Sequence, residues 1–139
     1  MPLSVIFDTN IWIAALNWRG VAYRCLLLAR TGVVQLVACP PMAAELSEKL
    51  REKFGFSEND IRAVMYEYRK ISRQIVITGD LHVVDADPDD DKFVECAVIG
   101  GVNIIVSEDK HLLRLAAYNT VRIVAAQEFL AFATALPAE

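Results

Sequence analysis

Leu3-Ser4-Val5-Ile6-Phe7-Asp8-Thr9-Asn10 opens the chain with a short run, rich in Val and Ile, that stops abruptly at an aspartate. A strand that is apolar on both faces suits the interior of a parallel sheet, where helices cover each side. Asp8, Thr9 and Asn10 are all residue types that cap helix N-termini well. The stretch therefore predicts a buried strand with an acid at its carboxyl end and a helix beyond it.

The rest of the chain repeats that grammar. Val21–Arg30 reads as a helix, with Val21, Cys25 and Leu28 on one side and Gly32 as its stop, and residues 33–38 read as a second strand. Pro40-Pro41 suits a helix start. Met42, Leu46, Leu50 and Phe54 then recur every four residues until Gly55 breaks the pattern. Ser57 with Asp60 looks like the cap of the next helix, which runs to about residue 73. A short third strand is expected at residues 75–78, a polar irregular stretch at 80–89 and a helix at 90–99 closed by Gly100-Gly101. Residues 103–106 form a fourth strand, followed by Ser107-Glu108-Asp109 and a helix to about residue 117. Val121–Val124 is a fifth strand, and a last helix covers about 127–135. Short apolar strands alternating with helices define an α/β fold with a mostly parallel sheet of about five strands.

Composition sets the limits. At 139 residues the chain is one domain, 1–139, with no repeat or linker. It is 55% hydrophobic and 23% charged with mean hydropathy +0.33, which excludes a disordered chain. Net charge −4 and a pI near 5.2 exclude a polycation that coats nucleic acid by bulk charge. Cys25, Cys39 and Cys96 are odd in number and widely spaced, so neither a disulfide framework nor a zinc site is indicated. A reducing, cytoplasmic setting is expected, with no membrane span and no signal peptide. Phosphate-binding glycine loops and the nucleophile elbow are absent.

The acids are unevenly placed. Asp80, Asp85, Asp87, Asp89, Asp90, Asp91 and Glu95 are seven of the eighteen, opposed within that stretch only by Lys92. Taken singly, most read as solvated surface. Position says more than number. Asp8 and Asp109 each follow a strand and precede a helix, and Asp90 and Asp91 open one. In an open parallel sheet these junctions share the edge at the strands' carboxyl ends, where ligand sites form. Each acid alone is an ordinary N-cap. Several on one edge repel and need protons or a cation. Oxygen ligands with few histidines favour Mg²⁺ or Mn²⁺ over zinc. On the helix at 90–99 the stripe Phe93, Val94, Ala97, Val98 and Gly101 points Asp90 inward, with Asp91 and Asp89 about 100° to either side. Glu45, by spacing alone, is a surface partner for Lys49 at i+4.

These residues also form a known pattern. Phe7-Asp8-Thr9-Asn10, Glu45-Leu46, the segment Asp87-Pro88-Asp89-Asp90-Asp91-Lys92-Phe93-Val94-Glu95-Cys96-Ala97, and Ile105-Val106-Ser107-Glu108-Asp109-Lys110-His111-Leu112-Leu113 resemble, in order and spacing, the four acidic motifs of PIN domains. The nearest group resembled is the small prokaryotic PIN proteins described as VapC-type toxins. The resemblance implies a three-layer α/β/α fold and a Mg²⁺- or Mn²⁺-dependent endoribonuclease. It also implies a homodimer and, for many members, a small antitoxin partner. By position, Asp8, Glu45, Asp90 and Asp109 become the catalytic acids, with Asp8, Asp90 and Asp109 holding the metal. Asn10 and Ser107 support them, Ser107 standing where the family often has Thr.

The implied reaction is metal-assisted hydrolysis of RNA phosphodiesters, in which a divalent ion acidifies a water and neutralises phosphate charge. Basic side chains at Lys49, Arg51, Lys53, Arg62 and especially Arg69, Lys70 and Arg73 are expected to attract the RNA backbone. Two other readings stay open: a non-catalytic PIN-fold interaction module, and an α/β receiver-type phosphotransfer domain. The receiver expects adjacent acids after the first strand and a Lys after the last. Here Asp8 stands alone, and Val124-Ala125-Ala126 has no Lys.

Overall fold

Six strands, β1 (Leu3–Phe7), β2 (Val34–Ala38), β3 (Ser72–Gln74), β4 (Ile104–Val106), β5 (Ala117–Tyr118) and β6 (Val121–Val124), form one sheet in the order β3-β2-β1-β4-β6-β5. The computed structural model describes residues 2–135. Residue 1 and residues 136–139, which the sequence reading included in the domain, lie outside the described residues. All neighbours pair in parallel except β5 with β6. Among the described residues seven α-helices accompany the sheet: α1 (Thr9–Asn17), α2 (Val21–Arg30), α3 (Pro40–Glu52), α4 (Glu58–Ile71), α5 (Asp91–Gly100), α6 (Lys110–Leu115) and α7 (Ala126–Thr134). α1 packs on α2 and α3, α3 on α4, α5 on β1, β2, β4 and β6, α6 on β6, and α7 returns beside α2. The result is the three-layer α/β/α arrangement.

β1 lies inside the sheet, so Val5, Ile6 and Phe7 are buried from both sides. Phe7 meets Trp12 and Phe129 edge-on at 6.4 and 6.1 Å between ring centres, and Trp12 lies against Tyr68 at 5.0 Å. Burying these rings contributes roughly 2–3 kcal/mol each. Register then fixes the height of every strand end. Phe7 is level with Val106, Val106 with Val124, and Val5 with Leu36, which sets Ala38 beside Phe7. Asp8, Cys39, Ser107 and Ala125 are thus the first residues past the ends of four adjacent strands. From β1 the chain steps to β2 and β3 in one direction and later returns to β4 on the other side. The carboxyl ends of β1 and β4 therefore flank the topological switch point, where open α/β sheets bind ligands.

Three elements differ from the sequence reading. α4 ends at Ile71, so the third strand is Ser72–Gln74 and not residues 75–78. Ile75 and Ile77 still pack on the core, with Val76 82% exposed between them. The Ile75 N–H still donates to the Ala38 carbonyl of β2 at 2.8 Å, and from Thr78 onward the backbone donors turn to Glu95 on α5. The Glu95 carboxylate accepts from the Thr78 N–H at 2.8 Å, the Gly79 N–H at 3.0 Å, the Leu81 N–H at 3.2 Å and the Thr78 hydroxyl at 3.0 Å. Four residues earlier, Asp91 accepts from the Val83 and Val84 N–H groups at 2.9 and 2.7 Å. Two acids one helical turn apart thus hang residues 78–84 on α5, and neither is solvated surface. The third difference is β5, a two-residue strand at the sheet edge. It turns into β6 through Asn119, whose positive φ of 54° Asn tolerates.

Glu95→Ala leaves those donors without their acceptor and is expected to destabilise the fold by about 2–3 kcal/mol. Glu95→Gln, which keeps one accepting oxygen, should cost less. Urea unfolding, with amide exchange at Thr78, Gly79 and Leu81, measures both; equal stability of Glu95→Ala and the parent chain would contradict this account of the segment.

Candidate metal centre

The acidic cleft opens over the ends of β1 and β4. Its walls carry Asp8, Thr9, Asn10, Glu45, Lys49, Asp87, Asp89, Asp90, Phe93 and Asp109. The four acids singled out in the sequence therefore face one cleft, together with Asn10. Ser107 lies fully buried beneath it, donating its hydroxyl hydrogen to Asp8 and accepting from the Asp109 N–H at 2.9 Å. One side chain thus aligns the acids that follow two neighbouring strands.

Capping and site-building turn out to be compatible. Asp8 caps α1 by accepting from the Ile11 N–H at 2.9 Å. Asp109 caps α6 by accepting from His111 at 2.8 Å and Leu112 at 3.3 Å. Asp87 caps a single 3₁₀ turn, Pro88–Asp90, by accepting from the Asp89 N–H at 3.2 Å. Each uses Oδ1 for its helix and leaves lone pairs toward the cleft. The positive ends of these helices favour the negative charge gathered there.

Asp90 behaves differently. It sits where the 3₁₀ turn meets α5, and its side chain makes no capping bond. It is only 9% exposed, and its Oδ2 finds no hydrogen-bond partner among the described residues. An unpartnered buried carboxylate oxygen is costly and calls for a proton or a cation. Oxygens of Asp87, Asp90 and Asp109 lie within 4.8 Å of one another, a spacing compatible with ligation of one small cation by three carboxylates. The donor set is all oxygen, which fits Mg²⁺ or Mn²⁺. Asp87, not Asp8, completes this triad. The sequence signal for it was Asp87-Pro88, an acid ahead of a first-turn proline.

Glu45 is held rather than free. Lys92 donates to its Oε1 at 2.9 Å, and the Thr9 hydroxyl donates to Oε2. Its partner is therefore Lys92, from the distant helix α5, and not Lys49 at i+4. The basic group on α4 is not part of the cleft. α4 ends directly before β3, so Arg69 and Lys70 lie toward the edge where the strands begin. Arg73 turns its guanidinium to the Gly100 carbonyl at 2.8 Å, at the end of α5. Only Lys49 among the expected RNA-binding cations lines the acidic cleft.

Charge crowding shows in the acids' proton affinities. Burial, offset in part by the bonds from Ser107 and Ile11, pushes Asp8 up to about 6. Burial first, then the neighbouring Asp109 and Asp87, push Asp90 up to about 7. Burial also acts on Glu45, but the bonds from Thr9 and Lys92 outweigh it and hold the carboxyl below its ordinary value.

These features define an α/β protein with a carboxylate cleft at its switch point. The chain belongs to the PIN domain family, whose profile matches residues 4–111. Similar folds include VapBC2 from Rickettsia felis, solved bound to a DNA fragment from its promoter. That match has a TM-score of 0.60 at 14% identity, covering 87% of this chain and 97% of the other. PAE2754 from Pyrobaculum aerophilum matches with a TM-score of 0.61 at 10% identity, over 97% and 91% of the two chains. No curated protein matches the sequence. No helix among the described residues is long and apolar enough to cross a membrane.

The raised acids set a pH dependence. Asp8 and Asp90 ionise near 3.8 when unfolded but near 6 and 7 when folded. Their contribution to stability is complete below about pH 4 and is lost as pH rises through 6 to 7. Glu45, Asp91 and Glu95, all held low, contribute fully above about pH 5 and do not oppose that trend. In chelator-treated protein the thermal midpoint should therefore fall between pH 5 and pH 8. Asp90→Asn should flatten the fall; an equally steep fall in the variant would show that Asp90 is not its source.

Proposed function

We propose that the protein is a divalent-metal-dependent endoribonuclease, using Mg²⁺ or Mn²⁺, and the toxin of a toxin–antitoxin pair. The observation that carries the first part is the buried, unpartnered oxygen of Asp90 within the close triad of Asp87, Asp90 and Asp109. What supports the second is the resemblance of the four motifs to VapC-type toxins, with VapBC2 among proteins of this fold. A cytoplasmic location belongs to the same reading, since an RNA substrate would be met there. The resemblance also supports a homodimer and a small antitoxin, and large exposed apolar side chains such as Trp18, Tyr66 and Val76 give partners something to cover.

In this reading Asp87, Asp90 and Asp109 hold the ion, with Asp8 beside them. When bound, the ion neutralises charge on the scissile phosphate and acidifies water at the site. The chain's own residues do the rest. Ser107 and the Ile11 N–H fix the Asp8 carboxylate, so it does not reorient as charge develops. Glu45, kept ionised by Lys92 and Thr9, accepts a hydrogen bond from the attacking water. The exposed Asn10 offers an amide donor to a phosphate oxygen. Lys49 draws the RNA backbone toward a cleft that would otherwise repel it.

The receiver-type alternative is disfavoured by the triad's composition, since two of its acids flank the Pro88 turn and none adjoins Asp8. The non-catalytic alternative leaves the Asp90 oxygen unexplained. Asp90→Asn should abolish Mn²⁺-dependent cleavage of a single-stranded RNA, a loss of at least about a thousandfold, while the chain stays folded. Asp91→Asn should retain most activity, because the asparagine oxygen still accepts from Val83 and Val84. Cleavage assays and circular dichroism on the two variants decide; full activity in Asp90→Asn overturns the proposal.

A further inference from the structure

Besides Lys49 in its wall, a second cation stands beside the cleft, bonded to one of the cleft's acids. Lys92 is the second residue of α5, and its side chain is only 14% exposed. Its ammonium donates to Glu45 Oε1 at 2.9 Å and to the Asp89 carbonyl, and lies 4.8 Å from the centre of the Phe93 ring. Glu45 has its other oxygen on the Thr9 hydroxyl, and its side chain is 24% exposed. This is a largely desolvated pair with every partner in place, unlike the exposed pairs elsewhere on the surface, such as Arg122 with Glu128.

The two sides of the cleft differ accordingly. On one side Asp87, Asp90 and Asp109 bring oxygens within 4.8 Å, and one of those oxygens has no partner. On the other side stand Asp8 and Glu45. Both Asp8 oxygens accept hydrogen bonds, from Ile11 and from Ser107, and both Glu45 oxygens accept theirs, from Lys92 and Thr9. A divalent ion placed between Asp8 and Glu45 would meet an ammonium already bonded to one of its ligands. Like charges in a partly buried site repel, and a divalent ion brings two of them against the ammonium.

We propose that Lys92 is a positioning residue that takes the place of a second metal ion, so that the cleft binds one divalent cation per chain, on Asp87, Asp90 and Asp109. This rests on the metal-centre reading above and deepens it. Lys92 holds Glu45 in orientation and lends the permanent positive charge that a second ion would supply. Arginine at the position keeps that charge, and methionine keeps the length and apolar stem but removes it.

The test is the stoichiometry of Mn²⁺ on the full chain, read by equilibrium dialysis and by electron paramagnetic resonance, which distinguishes an isolated Mn²⁺ from a spin-coupled pair. The parent chain and Lys92→Arg should bind one Mn²⁺ without a coupled-pair signal. Lys92→Met should gain a second ion and the coupled signal, with at least a tenfold rise in affinity for that second ion. Two ions on the parent chain would overturn the inference while leaving the metal centre standing, and this needs no variant to fold. A single ion on folded Lys92→Met would show that Lys92 does not limit the count. No Mn²⁺ on the parent chain would remove the metal centre and the inference together.

Discussion

Mutual repulsion among carboxylates is the constraint on which this structure turns. Asp8, Glu45, Asp87, Asp90 and Asp109 are drawn to one cleft by strand register and helix starts, and nothing in the packing of an α/β core asks for that. Each is tolerated by a different device. Asp8, Asp87 and Asp109 lean on helix N-termini, Asp8 also takes the Ser107 hydroxyl, and Glu45 takes a buried ammonium. Asp90 has none of these, and burial first, then Asp109 and Asp87, raise its proton affinity to about 7. A group left that expensive by an otherwise well-satisfied protein is the strongest physical sign of function here.

α5 carries both the chemistry and its scaffold. Asp90, at its start, looks into the cleft. Asp91 and Glu95, a turn apart on another side, hold residues 78–84 by backbone hydrogen bonds. That segment leads directly into Asp87 and the 3₁₀ turn. A change in Glu95 therefore reaches the cleft through the placement of Asp87, although Glu95 touches no acid of the triad.

Much of this was legible in the residues. The stop of Leu3–Phe7 at Asp8 was enough to place an acid at a strand end, and the Phe93/Val94/Ala97 stripe was enough to turn Asp90 inward. What escaped was long-range. Asp91 and Glu95 look solvated until residues 78–84 return across them. Glu45 pairs with a lysine 47 positions away, and no helical spacing reports that. Residues 75–78 read as a strand in sequence, yet only the Ile75 N–H bonds to β2, and Thr78 with the residues beyond it donates to a distant carboxylate. The basic cluster lies apart from the acidic cleft for a different reason: helix ends that lead straight into parallel strands belong to the amino edge, so Arg69 and Lys70 sit away from the acids. That signal was present in the element order, but charge density was the louder one.

The central claim is that the Asp87–Asp90–Asp109 triad is a cation site created by the fold. Anomalous diffraction from crystals soaked in Mn²⁺ near pH 8 tests it most directly. An anomalous peak is expected within coordination distance of oxygens from all three aspartates, including Asp90 Oδ2. An empty triad at Mn²⁺ concentrations that saturate binding in solution, or a peak held elsewhere without Asp90, would contradict it.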